Sequence, residues 1–594
     1  MAAEVSISRA VKRADIASGV AALIVYAGLA FAVFGSAWID PRNLSIGSAG
    51  DAEIYMWMLG WVPFSVGHAL NPLFSNFVIY PQGASLFWSL IPIVPGFLLA
   101  PVMVFLGPVV TYNLTMTLGL AGSAWCAYIA FRAVVGDRIG SWIGGLVYGF
   151  SPYMLAHALG HPNLVICVTP PLALLLLYDL CVRRRWRPWR VGVALGVLGA
   201  LQLLTTPEIL FTTVTVGVLG LILLALLNPR EVRGRFTQIA SGLGVGAAVF
   251  AVLAAVPLAF AFLGPQQVHG IVRQQDTFVT DVYNFVVPTQ VMLLAPSSAV
   301  QLSLKWTGDI AEANAYIGLP LLALLAFVAV TYRNSGVIRW AALEAAVAAI
   351  LSLGPHLHIG GNIHFHIPLP WLLIQRLPFF ENVLPSRLML FFYLTAGLAC
   401  AFFIAKLRRM PLKPVPAFGW LWVAVSLAFL LPALPWLTTA NPVPEFFSGP
   451  DATRIPAGSV ALVAPFSTAP GFQLGPGQDS ATLPMLWQEA SGMRFRMPEG
   501  GMNVPDANGN PTGGRPPAST VQTTMIAIQQ GAPAPDLTAD LRTALDADLA
   551  RWRVQTVIVG PMYNQGAMVE LFSGLLGRPP DSEGGVYVWW GVGT

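Results

Sequence analysis

Two carboxylates stand one residue apart just past the first long apolar segment, in Gly50-Asp51-Ala52-Glu53-Ile54-Tyr55-Met56-Trp57. Asp51 opens an amphipathic run in which Tyr55, Met58, Leu59, Val62 and Val66 recur at helical spacing. A carboxylate at a helix start beside a membrane surface has two ordinary uses. It caps the helix, or it takes a proton from a substrate hydroxyl. Glu53 can also serve as a first-turn charge that complements the helix dipole.

More polar residues recur where apolar runs are interrupted. His161 precedes Pro162, and Thr205-Thr206-Pro207-Glu208 reads as a tight turn. Residues 264–316 carry His269, Arg273, Gln274, Asp276, Asp281, Lys305 and Glu312. Residues 355–387 carry four histidines, Arg376, Glu381, Asn382 and Arg387. His356/His358 and His364/His366 flank Gly360-Gly361-Asn362, a hairpin signal, and alternation puts each pair on one face of its strand. Such a hairpin could hold zinc, but no carboxylate is arranged nearby as a base for metal-bound water. An interfacial His-rich hairpin explains the pattern equally well. No cofactor is expected; a divalent metal is compatible with these residues but not indicated by them.

The elements that position these groups are membrane helices. Of 594 residues, 55% are hydrophobic and only 10% charged, with a mean hydropathy of +0.66. A soluble chain of this composition could not cover itself with polar surface, so the fold class is mainly α and polytopic. Basic residues cluster between apolar runs, at Arg9/Lys12/Arg13, Arg183 to Arg190, Arg230/Arg233/Arg235 and Lys406/Arg408/Arg409/Lys413. That pattern is topological and excludes a nucleic-acid partner. Cys126, Cys167, Cys181 and Cys400 all fall in apolar segments and form no disulfide or metal spacing.

Counting basic loops as cytoplasmic gives about eleven spans, near 17–38, 109–131, 139–157, 163–181, 191–206, 209–227, 237–263, 317–332, 339–354, 388–405 and 417–436. The first is read as a retained span with no cleavage site. Trp88 to Leu106, broken by Pro92, Pro95 and Pro101, is read as re-entrant or interfacial. The N-terminus then lies inside, and the loops 39–108, 264–316 and 355–387 lie outside. Residues 1–439 make a transmembrane domain and 440–594 a small extracytoplasmic α/β domain. The latter has strands at Ser459–Phe466, Thr556–Gly560 and Val586–Trp590, and a helix marked by Leu537, Leu541, Leu545 and Leu549. No internal repeat of 20–50 residues is present.

The order of a first span, a long outer loop with an early acidic residue, many further spans and an outer C-terminal domain resembles the GT-C superfamily of membrane glycosyltransferases. Local phrases carry the same resemblance. Gly50-Asp51 with Trp57 and Trp61 resembles the first-loop acidic motif. Ser151-Pro152-Tyr153 followed by Gly160-His161, and Leu384-Pro385-Ser386-Arg387 before a span, resemble a span exit and a late-loop Arg motif. Many members have two adjacent acidic residues in the first loop, whereas here Ala52 separates them.

The resemblance implies an inverting transfer of a sugar from a polyprenyl-phosphate donor to an acceptor hydroxyl. The acceptor would be an envelope glycan, glycolipid or protein at the outer face of a bacterial plasma membrane. Asp51, with Glu53 beside it, is then the expected general base. Arg387 and Arg273 are the expected partners of the leaving phosphate. Glu208, His161 and Gln274 are expected substrate contacts. A lipid or polysaccharide transporter is the first rival, and it calls for charged groups deep in the spans. A non-catalytic envelope assembly protein is the second.

Overall fold

The computed structural model describes residues 2–271, 274–377, 380–411, 414–468, 481–513 and 517–593. Among these, six helices are long and apolar enough to cross a membrane: Asp15–Val33, Pro108–Val135, Pro162–Arg183, Pro207–Leu227, Phe236–Leu263 and Pro385–Leu407. The other five expected spans are helical but shorter, at Arg138–Gly149, Pro188–Leu203, Leu319–Thr331, Gly336–Ser352 and Pro414–Ala428. Proline and capping residues explain the shortening. The span expected over 139–157 ends at Gly149, and Ser151 caps a separate helix, Pro152–His157, by accepting from the Met154 amide. Residues 88–106 contain two short helices, Ile93–Leu98 and Ala100–Leu106. Each is only about 10 Å long, so neither crosses a bilayer by itself.

The chain divides into two compact units. One comprises Met1–Ser36, Thr115–Ala254 and Arg273–Trp436; the other comprises Ala37–Leu114, Ala255–Val272 and Leu437–Thr594. In the first unit the central element is Pro385–Leu407, whose most apolar stretch is 94% buried. Arg138–Gly149 crosses it through small residues. A Cβ placed on Gly144 would lie closer than 3.0 Å to the Gly397 carbonyl, and one on Gly140 would meet that of Ala401 as closely. Gly192 and Gly196 meet Gly242 and Gly246 in the same manner. Two Gly-x-x-x-Gly crossings thus bring backbones together where apolar burial alone gives helices no preference for one another over lipid.

In the second unit a four-stranded sheet runs in the order Asp581–Glu583, Val586–Trp590, Val554–Val559, Val460–Ala464. The last pair is parallel and the others antiparallel. Leu462, Val557, Trp552 and Trp589 form its core with the helices Thr520–Gln529, Ala539–Trp552 and Gln565–Leu576. The strand Leu44–Ile46 pairs with Thr438–Ala440 and ties the first loop to the start of this segment.

Candidate functional site

The acidic pair lies at the head of the helix Asp51–Gly67 in the second unit. Gly50, at φ 103°, is the N-cap residue, so Asp51 is the first helical residue and not the cap. Glu53 is fully buried and accepts the Gly50 amide at 2.7 Å. The Thr482 hydroxyl lies 3.0 Å from the Gly50 carbonyl and 3.1 Å from Glu53 Oε2. Glu53 is therefore the reach-back member of a helix cap. Asp51 is half-buried beside it, and Tyr112 lies within electrostatic reach of both carboxylates.

The helix does not have the expected single apolar face. Every residue from Ala52 to Val62 is buried, on all sides of the helix, while Val66 is exposed. The cover comes from distant segments. Trp57 donates its indole N–H to Gln488 Oε1 at 2.6 Å, and Gln488 Nε2 donates to the Phe77 and Phe495 carbonyls at 2.8 and 2.7 Å. Val62 packs on Gly96, and Glu489 packs on Gly60, where only a glycine leaves room for its carboxyl. Burial pushes the Glu489 carboxyl up to about 8.

In the first unit Arg387, Glu208 and His161 are brought into one cluster, together with Glu312, Asp309 and His157. Arg387 Nε and Nη2 donate to Glu312 Oε1 at 2.8 and 2.5 Å, and Nη1 donates to Glu208. Ser386 adds a hydroxyl bond to Glu312 at 2.8 Å. The Glu208 and Arg387 side chains are each 11% exposed and that of Glu312 3%. Burial opposes charge on Glu312, but Arg387 and then His157 outweigh it and hold the carboxyl at about 2. Burial and then Glu312 push the Asp309 carboxyl up, against His161. The His157 ring lies 4.4 Å from that of Tyr153 and 5.7 Å from that of His161. Asn314 Nδ2 approaches His157 Nε2 at 3.4 Å.

The Arg387 guanidinium is shared between two carboxylates, Glu208 and Glu312. Around it, Tyr153 Oη, His157 Nδ1, Asn163 Oδ1 and Asn314 Oδ1 are buried without a protein partner. Such atoms suit uncharged hydroxyl groups or water. Glu208 occupies the first turn of Pro207–Leu227; its Oε2 accepts from Arg387, while its Oε1 is buried without a hydrogen-bond partner. Gln274 is exposed and apart from the cluster's hydrogen bonds, and Arg273 lies outside the described residues.

Glu312 and His157 escaped sequence reasoning as site residues. Glu312 sits in a loop that is polar throughout, and its amide is held by Asp309 Oδ1 at 3.1 Å. The histidine hairpin forms at His356–Ile359 and Asn362–Pro368. His356 Nδ1 lies 2.9 Å and His358 Nε2 3.5 Å from Asp276, while Asp281 accepts the Gly360 and Gly361 amides of the turn. Among the described residues, no group of three or more His, Cys, Asp or Glu side chains is placed to hold a metal ion.

A family model described as a domain of unknown function, DUF6311, matches residues 23–431. The chain belongs to that family. No curated protein matches it by sequence. Among solved structures, the arabinofuranosyltransferase AftD from Mycobacteria matches at 15% identity and a TM-score of 0.54, covering 97% of this chain and 40% of AftD. A mutant of AftD matches at 15% identity and 0.56, covering 97% and 41%. The oligosaccharyltransferase from Archaeoglobus fulgidus matches at 10% identity and 0.46, covering 91% and 69%. The DUF6311 chain thus shares a fold with AftD, and it spans well under half the length of AftD.

Proposed function

We propose that this chain transfers a sugar from a polyprenyl-phosphate donor to an acceptor hydroxyl, with inversion at the anomeric carbon. The reading places the reaction at the outer face of a bacterial plasma membrane, with the N-terminus inside and residues 440–594 outside as an acceptor-handling α/β domain. Its acceptor is an envelope glycan, glycolipid or protein. The observation that carries it is the GT-C fold likeness to AftD over 97% of the chain. Asp51 is the proposed base. It is the first residue of an encased helix, at whose start Gly50 is the N-cap residue and Glu53 accepts the Gly50 amide.

Glu208 and His161, in the cluster with Arg387, are the proposed contacts for sugar or acceptor hydroxyls. Arg387 and Arg273 are the proposed partners of the donor phosphate, with Gln274 as a further substrate contact. No metal enters this proposal.

The test is Asp51→Asn in lipid nanodiscs, assayed with a panel of polyprenyl-phosphate sugars. Turnover should fall roughly 10²–10⁴-fold with the melting temperature unchanged. A variant that keeps its turnover would end the proposal. The transporter reading draws on one observation, Glu344 midway along Gly336–Ser352, 2% exposed with both carboxylate oxygens lacking a partner. Substrate flux without sugar transfer in reconstituted vesicles would favour it.

A further inference from the structure

The Arg-rich link between the helices ending at Arg183 and beginning at Pro188 differs from other basic links of the first unit. At two other links positive charges are matched in part. Arg132 and Arg138 share Asp15 at 3.1 and 3.0 Å, and Arg408 pairs with Asp137 at 3.1 Å. By contrast, Arg183, Arg184, Arg185, Arg187 and Arg190 are all exposed, and none has an ion pair among the described residues. Asp179 does not neutralise them. It is buried, and its carboxylate accepts the backbone amides of Arg185 and Trp186 at 3.2 and 2.9 Å. Arg184 is held in the left-handed region at φ 57°, with its amide bonded to the Asp179 carbonyl at 2.7 Å. The turn is thus fixed from within while every guanidinium points to its surface.

A second basic segment is fastened beside it. Arg235 Nη1 donates to the Cys181 carbonyl at 2.5 Å, and Gly242 packs on Leu180 and the Pro188 carbonyl. This brings Arg230, Arg233 and Arg235 to the same end of the bundle, with Glu231 the single exposed acid there. Trp186 and Trp189 are each half-exposed, and Phe236 is 68% exposed. Arg190 lies over the Trp189 ring at 5.3 Å. Uncompensated guanidinium groups framed by exposed indoles are what a phospholipid headgroup layer recognises. The forked donors take phosphate oxygens, and the indoles sit at headgroup depth.

We propose that these two segments form a binding surface for anionic phospholipid headgroups in the adjoining leaflet. It does not depend on the proposed transfer activity. The measurement is native mass spectrometry of the purified full chain, incubated with equal mole fractions of cardiolipin and phosphatidylcholine. The wild-type chain should retain cardiolipin with at least about tenfold preference, weakening as ionic strength rises.

The variant R184Q/R185Q/R187Q/R233Q should lose that preference, while R408Q/R409Q, which removes charge elsewhere, should keep it. Equal retention of both lipids by the wild type overturns the proposal, as does a preference that survives in the quadruple variant. Should the quadruple variant fail to insert, W186A/W189A decides. A preference reduced severalfold supports the surface, and an unchanged one overturns it.

Discussion

Glu53 takes the helix-start role that the sequence left open between it and Asp51. Glu53 is tied to the Gly50 amide and to Thr482, so Glu53→Ala should lower stability by about 1–2 kcal/mol in a thermal melt, with Glu53→Gln milder. Asp51→Asn should leave the melt unchanged, separating the two carboxylates by readout. Arg387→Met would strand two buried carboxylates, and it should cost about 3–5 kcal/mol, seen as a large fall in melting temperature.

Glu489 supplies a pH test. Burial holds it at about 8, above the ordinary glutamate value of 4.5. Between these values the folded chain keeps a proton that the unfolded chain has released. Stability should therefore fall as pH rises from about 4.5 towards 8 and then level off. Glu489→Gln should remove that slope; an unchanged slope would mean the carboxyl is not the titrating group. Of the residues singled out from sequence, Glu208, His161 and Arg387 do meet, because polar groups at the ends of apolar runs are conspicuous. Glu312 was hidden by an evenly polar loop.

For whole elements, the apolar period located every expected helical segment but not how each is packed. The Asp51 helix looked two-faced because local spacing cannot see cover supplied by Phe77, Gly96 and Gln488 from elsewhere in the chain. Proline and serine at Ser151-Pro152 cut one expected span into two, a signal that was present in the sequence. The Gly140/Gly144 spacing was equally readable, though what it touches was not. Gly144→Leu should force the helices Arg138–Gly149 and Pro385–Leu407 apart, because the added side chain meets backbone. The expected result is loss of monodisperse protein on size exclusion, with Gly19→Leu, which meets nothing within 4 Å, as the tolerated control.

At the level of the molecule, the proposed sidedness can be checked chemically. All four cysteines are buried, so background labelling should be low. A cysteine placed at Trp186, which is 50% exposed, should react with an impermeant maleimide only after cells are opened. One at Tyr563, 61% exposed, should react in intact cells. The reverse result would invert the assigned orientation.

The enclosure of Pro385–Leu407 has a mechanical consequence. A rod gripped along nearly its whole length cannot tilt or slide without dismantling its neighbours, so Arg387 near its tip behaves as a fixed reference point. Whatever shifts to admit or release a bound molecule must then be the partners that reach towards it. Of these, the Asp309–Glu312 turn belongs to a connecting loop, outside the membrane helices.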